Sequence, residues 1–344
     1  MMADPQPPTT IPSFQLLQPT DDASAGSNHT TTNDEIAQSP LIICFHGSGE
    51  SCSPSWDSLV TKLITEIRCR VLLCNRGSGN HLPATIAAQI WDYLHGRAED
   101  QNRKHRHEHE NGKKETDGPY LLIAHSYGGA FARAFIQHEH DLLLRSKKDS
   151  TEGIMGLVLV ETGQEGGLDA ALDAQQIRRV VMGKRPVSVI RGNSLLGKWR
   201  ELEERERLLA TSLLPTSATT LTLTLASPTT PALDHTPTPI SSASAKRRDN
   251  VVKDVAMQRS RLAAERDMLE RVDAEDERLK RRQLGLSKTS RYVHISDCGH
   301  HVIRDRPDAV VDAVRWVLEN AEDSSSKRSL WERVWGVMQR FSVR

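Results

Sequence analysis

The sequence has no surplus of charge of either sign: Lys and Arg total 45, Asp and Glu total 45, and the formal net charge is zero. That balance gives the chain no electrostatic draw toward nucleic acid or an anionic membrane. Long apolar runs are also missing. Stretches such as Leu157 to Val160 are far too short to span a bilayer. The opening MMADPQPPTT has neither a basic start nor an apolar stretch, so it does not read as a secretory signal. Five cysteines, Cys44, Cys52, Cys69, Cys74 and Cys298, make an odd count without metal-type spacing, which argues against a disulfide framework and against a metal site. Together these absences predict a soluble, cytoplasmic protein. Hydrophobic residues make up 37% of the chain, short of the roughly 45–50% usual in globular proteins when glycine is counted and tyrosine is not. Some segments are therefore expected to lie outside any core.

The pattern along the chain places those segments. Residues 1–38 are rich in Pro, Thr, Ser and Asn and read as mostly flexible, apart from an apolar island at Phe14 to Leu17 that suits an edge strand. From Pro40 an order repeats: apolar run, glycine-containing turn, helical period, next apolar run. The runs are Leu41 to Phe45, Val71 to Cys74, Tyr120 to Ala124, Ile154 to Val160, Pro186 to Ile190 and Tyr292 to Ile295. They predict an α/β fold with a doubly wound, mostly parallel sheet of about six to seven strands, its core spanning 39–197 and 287–322.

Two stretches break the rhythm. The charged tract KHRHEHENGKKE reads as a solvated loop, and its histidines, His105, His107 and His109, as part of that loop rather than as metal ligands. Residues 198–286 form an insertion before the last strand, in which two charged helical runs flank a Ser/Thr/Pro tract too polar to fold alone. In the second run Val255, Leu262 and Leu269 recur seven apart, a narrow apolar stripe that suits either a lid or a helix docked on the core or on a partner. Residues 323–344 carry an amphipathic helix with basic neighbours, for which docking on the body and peripheral membrane contact are the two readings.

The chemistry sits where strands end. A serine hydroxyl attacks poorly at neutral pH unless a base takes its proton and donors stabilise the oxyanion. The segment Leu121-Leu122-Ile123-Ala124-His125-Ser126-Tyr127-Gly128-Gly129 has the small residues, Ala124 and Gly128, that a nucleophile elbow needs two places either side of its serine. Ser126 is therefore the candidate nucleophile. The loop His46-Gly47-Ser48-Gly49 offers uncrowded backbone N–H groups, and those of Ser48 and Tyr127 are the natural oxyanion pair. The segment Cys298-Gly299-His300-His301 follows the last strand, where a base can reach the serine from the side. His300 is the candidate, with His301 as its rival.

These three pieces together resemble the α/β-hydrolase superfamily, in the branch with an HGxG loop, an AHSYGG-like elbow and a terminal GHxxxxDxP segment. The resemblance covers Pro40 to about Leu196 and Tyr292 to about Glu319. It implies hydrolysis of an ester, amide, thioester or carbon–carbon bond of a small apolar substrate, without a cofactor. Members of that superfamily usually place an acid after the fifth of these strands, but here the loop reads Arg191-Gly192-Asn193-Ser194-Leu195-Leu196 and holds no carboxylate. Glu161, one strand earlier, matches the arrangement of some members and becomes the candidate acid, with Glu165 and Asp169 as rivals and Asp297 too near His300 along the chain. A serine at the elbow argues against epoxide and haloalkane hydrolases, which use a carboxylate there. The missing acid at the usual place keeps open a catalytically silent member that binds ligands or acts as a scaffold.

Overall fold

The computed structural model describes residues 12–19, 39–76, 82–95, 116, 119–146, 153–163, 169–212 and 242–321. Glu165, the histidine-rich tract, most of the Ser/Thr/Pro tract and the carboxy-terminal segment 323–344 fall outside the described residues, as does most of the amino-terminal segment.

Among the described residues seven strands form one sheet: β1 Ser13–Leu17, β2 Leu41–Phe45, β3 Arg70–Asn75, β4 Tyr120–His125, β5 Ile154–Val160, β6 Val187–Arg191 and β7 Ser290–His294, in the order β1-β3-β2-β4-β5-β6-β7. Every pairing is parallel except that of β1, which runs antiparallel along β3 with Phe14 opposite Cys74. The helices between them are α1 Asp57–Thr65, α2 Pro83–Leu94, α3 Gly128–Ser146 and α4 Ala170–Arg179, followed by α5 Leu196–Ser212, α6 Ser242–Arg282, α7 Val302–Asp305 and α8 Pro307–Asn320.

The unbroken apolar runs of β2 and β4 are explained by burial on both faces. Successive side chains in a strand point to opposite sides. Leu41, Ile43 and Phe45 thus meet Ile86 of α2 and Phe131 and Phe135 of α3. Ile42 and Cys44 meet Leu59 and Leu63 of α1 and Val310 and Val314 of α8 on the other side. The five cysteines are all buried and unpaired, consistent with small apolar fillers.

The topology creates the crevice. From β2 the chain steps to β3 on one side, then crosses back to place β4 on the other, so the loops leaving β2 and β4 diverge. Those loops begin at His46 and Ser126.

The chain divides into two compact units, Met1–Ser194 with Asp276–Arg344, and Leu195–Glu275. The sheet and the final two turns of α6, from Asp276, belong to the first. In the second, α5 and the earlier part of α6 are cross-linked by ion pairs, Arg205 with Glu265 and Arg266 with Glu206, the latter at 2.5 Å. No described helix is long and apolar enough to cross a membrane.

Candidate active site

Ser126 sits at the tip of β4 in the left-handed backbone region, with φ of 53°. For a residue with a side chain that conformation costs on the order of 1–3 kcal/mol and persists only where the surroundings enforce it. Here they do. The Ser126 amide donates to the Val160 carbonyl of β5 at 2.9 Å, and its own carbonyl accepts from the Gly129 amide at 3.0 Å as α3 begins. Two residues on, a Cβ at Gly128 would lie 2.1 Å from the Phe45 carbonyl oxygen, so only glycine lets the helix start this close to β2. The strand-turn-helix expected around Ser126 is present.

The loop after β2 presses against this turn. A Cβ on Gly47 would come 3.2 Å from that of Ser126. Ser48 and Tyr127 each follow one member of this close pair in sequence. The loop is held by a residue that no motif singles out, Arg76 at the end of β3. Its guanidinium donates to the carbonyls of His46 and Gly47, both at 2.6 Å. It also lies over the Phe131 ring, 4.2 Å from its centroid. With two successive carbonyls drawn toward Arg76, the loop's orientation is fixed from behind. Burial and the Arg76 charge together lower the His46 pKa to about 4, so this imidazole is neutral near pH 7 and accepts from the Arg76 amide at 3.2 Å.

Glu161 stands one residue beyond β5, next to β4, and it too has φ of 53°. Its amide is pinned to the Ile190 carbonyl of β6 at 2.9 Å. The carboxylate is fully buried and both oxygens are engaged. Oε2 accepts from His300 Nδ1 at 3.1 Å, and Oε1 accepts from the Gly192 amide at 2.6 Å and faces Lys280 Nζ at 3.4 Å. Because a carboxylate only accepts, Nδ1 is the donor in this bond, and in the neutral imidazole that leaves the lone pair on Nε2, the tautomer a general base needs.

The rivals among the described residues are occupied elsewhere. The Asp169 carboxylate caps α4 by accepting from the Ala171 amide at 2.8 Å, and Asp297 is paired with Arg306. His301 meets Glu50 at 3.3 Å, with nearly half its side chain exposed. Glu50 also lies 3.6 Å from His125, and interaction with that imidazole lowers its pKa. His125, adjacent to Ser126, donates from Nε2 to the His300 carbonyl at 3.0 Å, and the two rings are 5.0 Å apart. The loop bearing His300 is thereby tied to the elbow bearing Ser126.

A cavity of about 180 Å³ opens beside Ser126, walled by Tyr127, Ala130, Thr162 and Leu279, with Arg133 and Asp173 paired at 2.9 Å on its far side. Among the described residues no cluster of His, Cys, Asp and Glu is arranged to hold a metal ion.

The family model described as "Alpha/beta hydrolase family" matches residues 42–313. Among solved structures the chain is similar to a thermophilic esterase from Thermogutta terrifontis at 15% identity, covering 90% of this chain and 94% of that one, with a TM-score of 0.39. It is similar to Est1E from Butyrivibrio proteoclasticus at 13% identity, with the same coverages and a TM-score of 0.41. A putative non-heme bromoperoxidase, BpoC from Mycobacterium tuberculosis, shares 12% identity over 92% of this chain and 98% of its own, with a TM-score of 0.37. No curated protein matches the sequence.

Proposed function

Since this chain belongs to the alpha/beta hydrolase family, we propose that it is a serine hydrolase in which Ser126 is the nucleophile, His300 its base and Glu161 the acid that orients the imidazole. In the first step the Ser126 oxygen attacks a carbonyl carbon while its proton passes to His300 Nε2. The negative charge that collects on the carbonyl oxygen is taken up by the amides of Ser48 and Tyr127. His300 then returns the proton to the leaving oxygen or sulfur, and an acyl group remains on Ser126. A water molecule enters, loses its proton to His300 and releases the acid by the same steps in reverse. Every proton is accounted for by one imidazole, and the scheme uses no cofactor.

The observation that carries this reading is the 3.1 Å bond between His300 Nδ1 and a buried carboxylate 139 residues away in sequence. A histidine on a surface turn has no need of such a partner, whereas a catalytic imidazole needs its tautomer fixed. The cavity beside Ser126 is smaller than the roughly 300–1,000 Å³ of sites for drug-sized ligands, which suits a short acyl or alkyl group of an ester or thioester.

The test is a fluorophosphonate probe, with the modified residue mapped by mass spectrometry. The expected result is one adduct per chain, on Ser126, and none in Ser126→Ala. Labelling that persists in that variant, or no labelling of well-folded wild-type protein, rejects the proposal; the second result points to a silent, ligand-binding member. A panel of p-nitrophenyl esters of graded length is expected to favour the shortest acyl chains.

A further inference from the structure

The carboxylate that meets His300 is one end of a buried chain of charges. Lys280 and Asp276 lie four residues apart near the end of α6, and their side chains are paired, each almost wholly buried. Asp276 is also paired with Arg191 of β6 at 2.8 Å, with both side chains at most 2% exposed. From Lys280 the chain continues to Glu161 Oε1 at 3.4 Å, and from Glu161 Oε2 to His300. The signs alternate: Arg191 and Lys280 are cations, Asp276 and Glu161 anions, two of each. The neighbours of Lys280 on the same helix behave differently, for Arg281 and Arg282 pair with Glu277 and Asp173 with their side chains about half exposed. Helix phase directs only the lysine of this Lys-Arg-Arg run to the acid.

Burying an ammonium and a carboxylate is expensive and gains little over apolar packing of the same volume. A stability role alone is therefore a weak account of a lysine placed on the one carboxylate that orients His300. Resting on the catalytic reading above, we propose that Lys280 is a positioning residue: with the Gly192 amide it fixes Oε1 of Glu161, so that Oε2 is presented to His300, and its positive charge restrains the imidazole from taking up a proton until the serine gives one. Glu161 alone draws a proton toward His300, because opposite charges at short range favour the charged form. Lys280 offsets part of that attraction, leaving a base that remains unprotonated to lower pH. Other ionisable groups face the imidazole as well: the His125 ring from β4, the His301 ring beside it, and Glu50, which lies against both of those histidines. None of these touches Glu161 Oε1, so their influence is left in place when Lys280 alone is changed.

The experiment follows the His300 imidazole by NMR titration, alongside the pH dependence of kcat/KM on an activated ester, in wild type, Lys280→Gln and Lys280→Arg. In Lys280→Gln the His300 midpoint and the acid limb of the rate profile are both expected to move up by about one pH unit. Lys280→Arg, which keeps the charge, is expected to stay near the wild-type values. Unmoved midpoints in a folded Lys280→Gln protein, or an equal shift in Lys280→Arg, overturn the proposal. Should Lys280→Gln fail to fold, Asp276→Asn combined with Lys280→Gln removes one charge of each sign; Lys280 being the nearer to Glu161, the midpoint is expected to move in the same direction by less than about one pH unit, and an unmoved midpoint overturns the proposal. The titration needs no turnover. An imidazole that shifts in a protein whose Ser126 takes no probe keeps this coupling and rejects only the hydrolase reading, while a labelled Ser126 with an unmoved imidazole does the reverse.

Discussion

His300 Nδ1 lies 3.1 Å from Glu161 Oε2, and Glu161 directly follows β5, which neighbours β4, the strand that Ser126 directly follows. This carboxylate thus approaches from β5, while the loop after β6 contributes an amide, that of Gly192, to the same carboxylate. Glu161→Gln is expected to lower kcat on an activated ester by about 10²–10⁴-fold with KM little changed, since an amide neither fixes the tautomer nor stabilises the imidazolium as a carboxylate does. Asp169→Ala, which removes only a helix cap, is expected to cost about 1 kcal/mol of stability and to leave the rate alone. Wild-type turnover in Glu161→Gln moves the role to another carboxylate.

The two adjacent histidines separate by partner. His300 meets a carboxylate with no exposed side-chain surface, whereas His301 meets Glu50 at the rim with 47% of its side chain exposed. His300→Gln is expected to reduce turnover and probe labelling at least about 10³-fold. His301→Gln is expected to change either by no more than a few fold, as an exposed ion pair contributes little. Equal losses in both variants contradict this division.

The strands were legible because β2, β4 and β5 are buried on both faces and so must be apolar throughout; Leu41–Phe45 and Ile154–Val160 have the bounds the apolar runs predict. The elbow was legible for a related reason, since Gly128 is required by the carbonyl of Phe45. The partners of the site were not. Lys280 lies in a Lys-Arg-Arg run and Arg76 in a polar turn, and a charged residue in such a setting reads as solvated. Periodicity reports apolar faces only, so it is blind to a cation buried against an anion far away in sequence. The pairing of Glu161 with His300 was reached only through resemblance, because no local spacing connects residues 139 apart.

Two glycines of the same region predict different costs. Ala at Gly128 places a methyl group 2.1 Å from the backbone oxygen of Phe45, which lies in a central strand and has no room to retreat. Gly128→Ala is expected to lose at least about 4 kcal/mol, or to yield no folded protein. Gly49, at φ of 69°, has open space where a methyl group would stand, so Gly49→Ala is expected to cost only about 1 kcal/mol, from backbone conformation alone. Urea unfolding of the two variants makes the comparison, and similar midpoints contradict it.

Arg76 donates to two consecutive carbonyls from two different nitrogens, Nη1 to His46 and Nη2 to Gly47, a spread that a forked guanidinium matches better than the single nitrogen of an ammonium. Arg76→Met is expected to destabilise the protein by about 2–4 kcal/mol, as two buried acceptors lose their donor. It is also expected to slow probe labelling of Ser126 by about tenfold or more, because the loop that offers the Ser48 amide is no longer held. Arg76→Lys is expected to resemble the methionine variant rather than wild type. Full labelling rates in both variants exclude a role for this loop in stabilising the oxyanion.

The His46 imidazole gives the fold an acid sensitivity whose direction follows from its environment. Its pKa is about 4 in the folded chain, lowered from 6.5 first by burial and then by the Arg76 charge. Between those values the unfolded chain binds a proton that the folded chain refuses, so stability falls as pH drops and levels off below about pH 4. The contribution is on the order of 3 kcal/mol over that interval. Urea midpoints measured from pH 7 to pH 4 are expected to fall for wild type and to fall less steeply for His46→Gln, which carries no titrating group. Parallel curves for the two proteins contradict this account. In Arg76→Met, where the second cause is gone but burial remains, the slope is expected to lie between them.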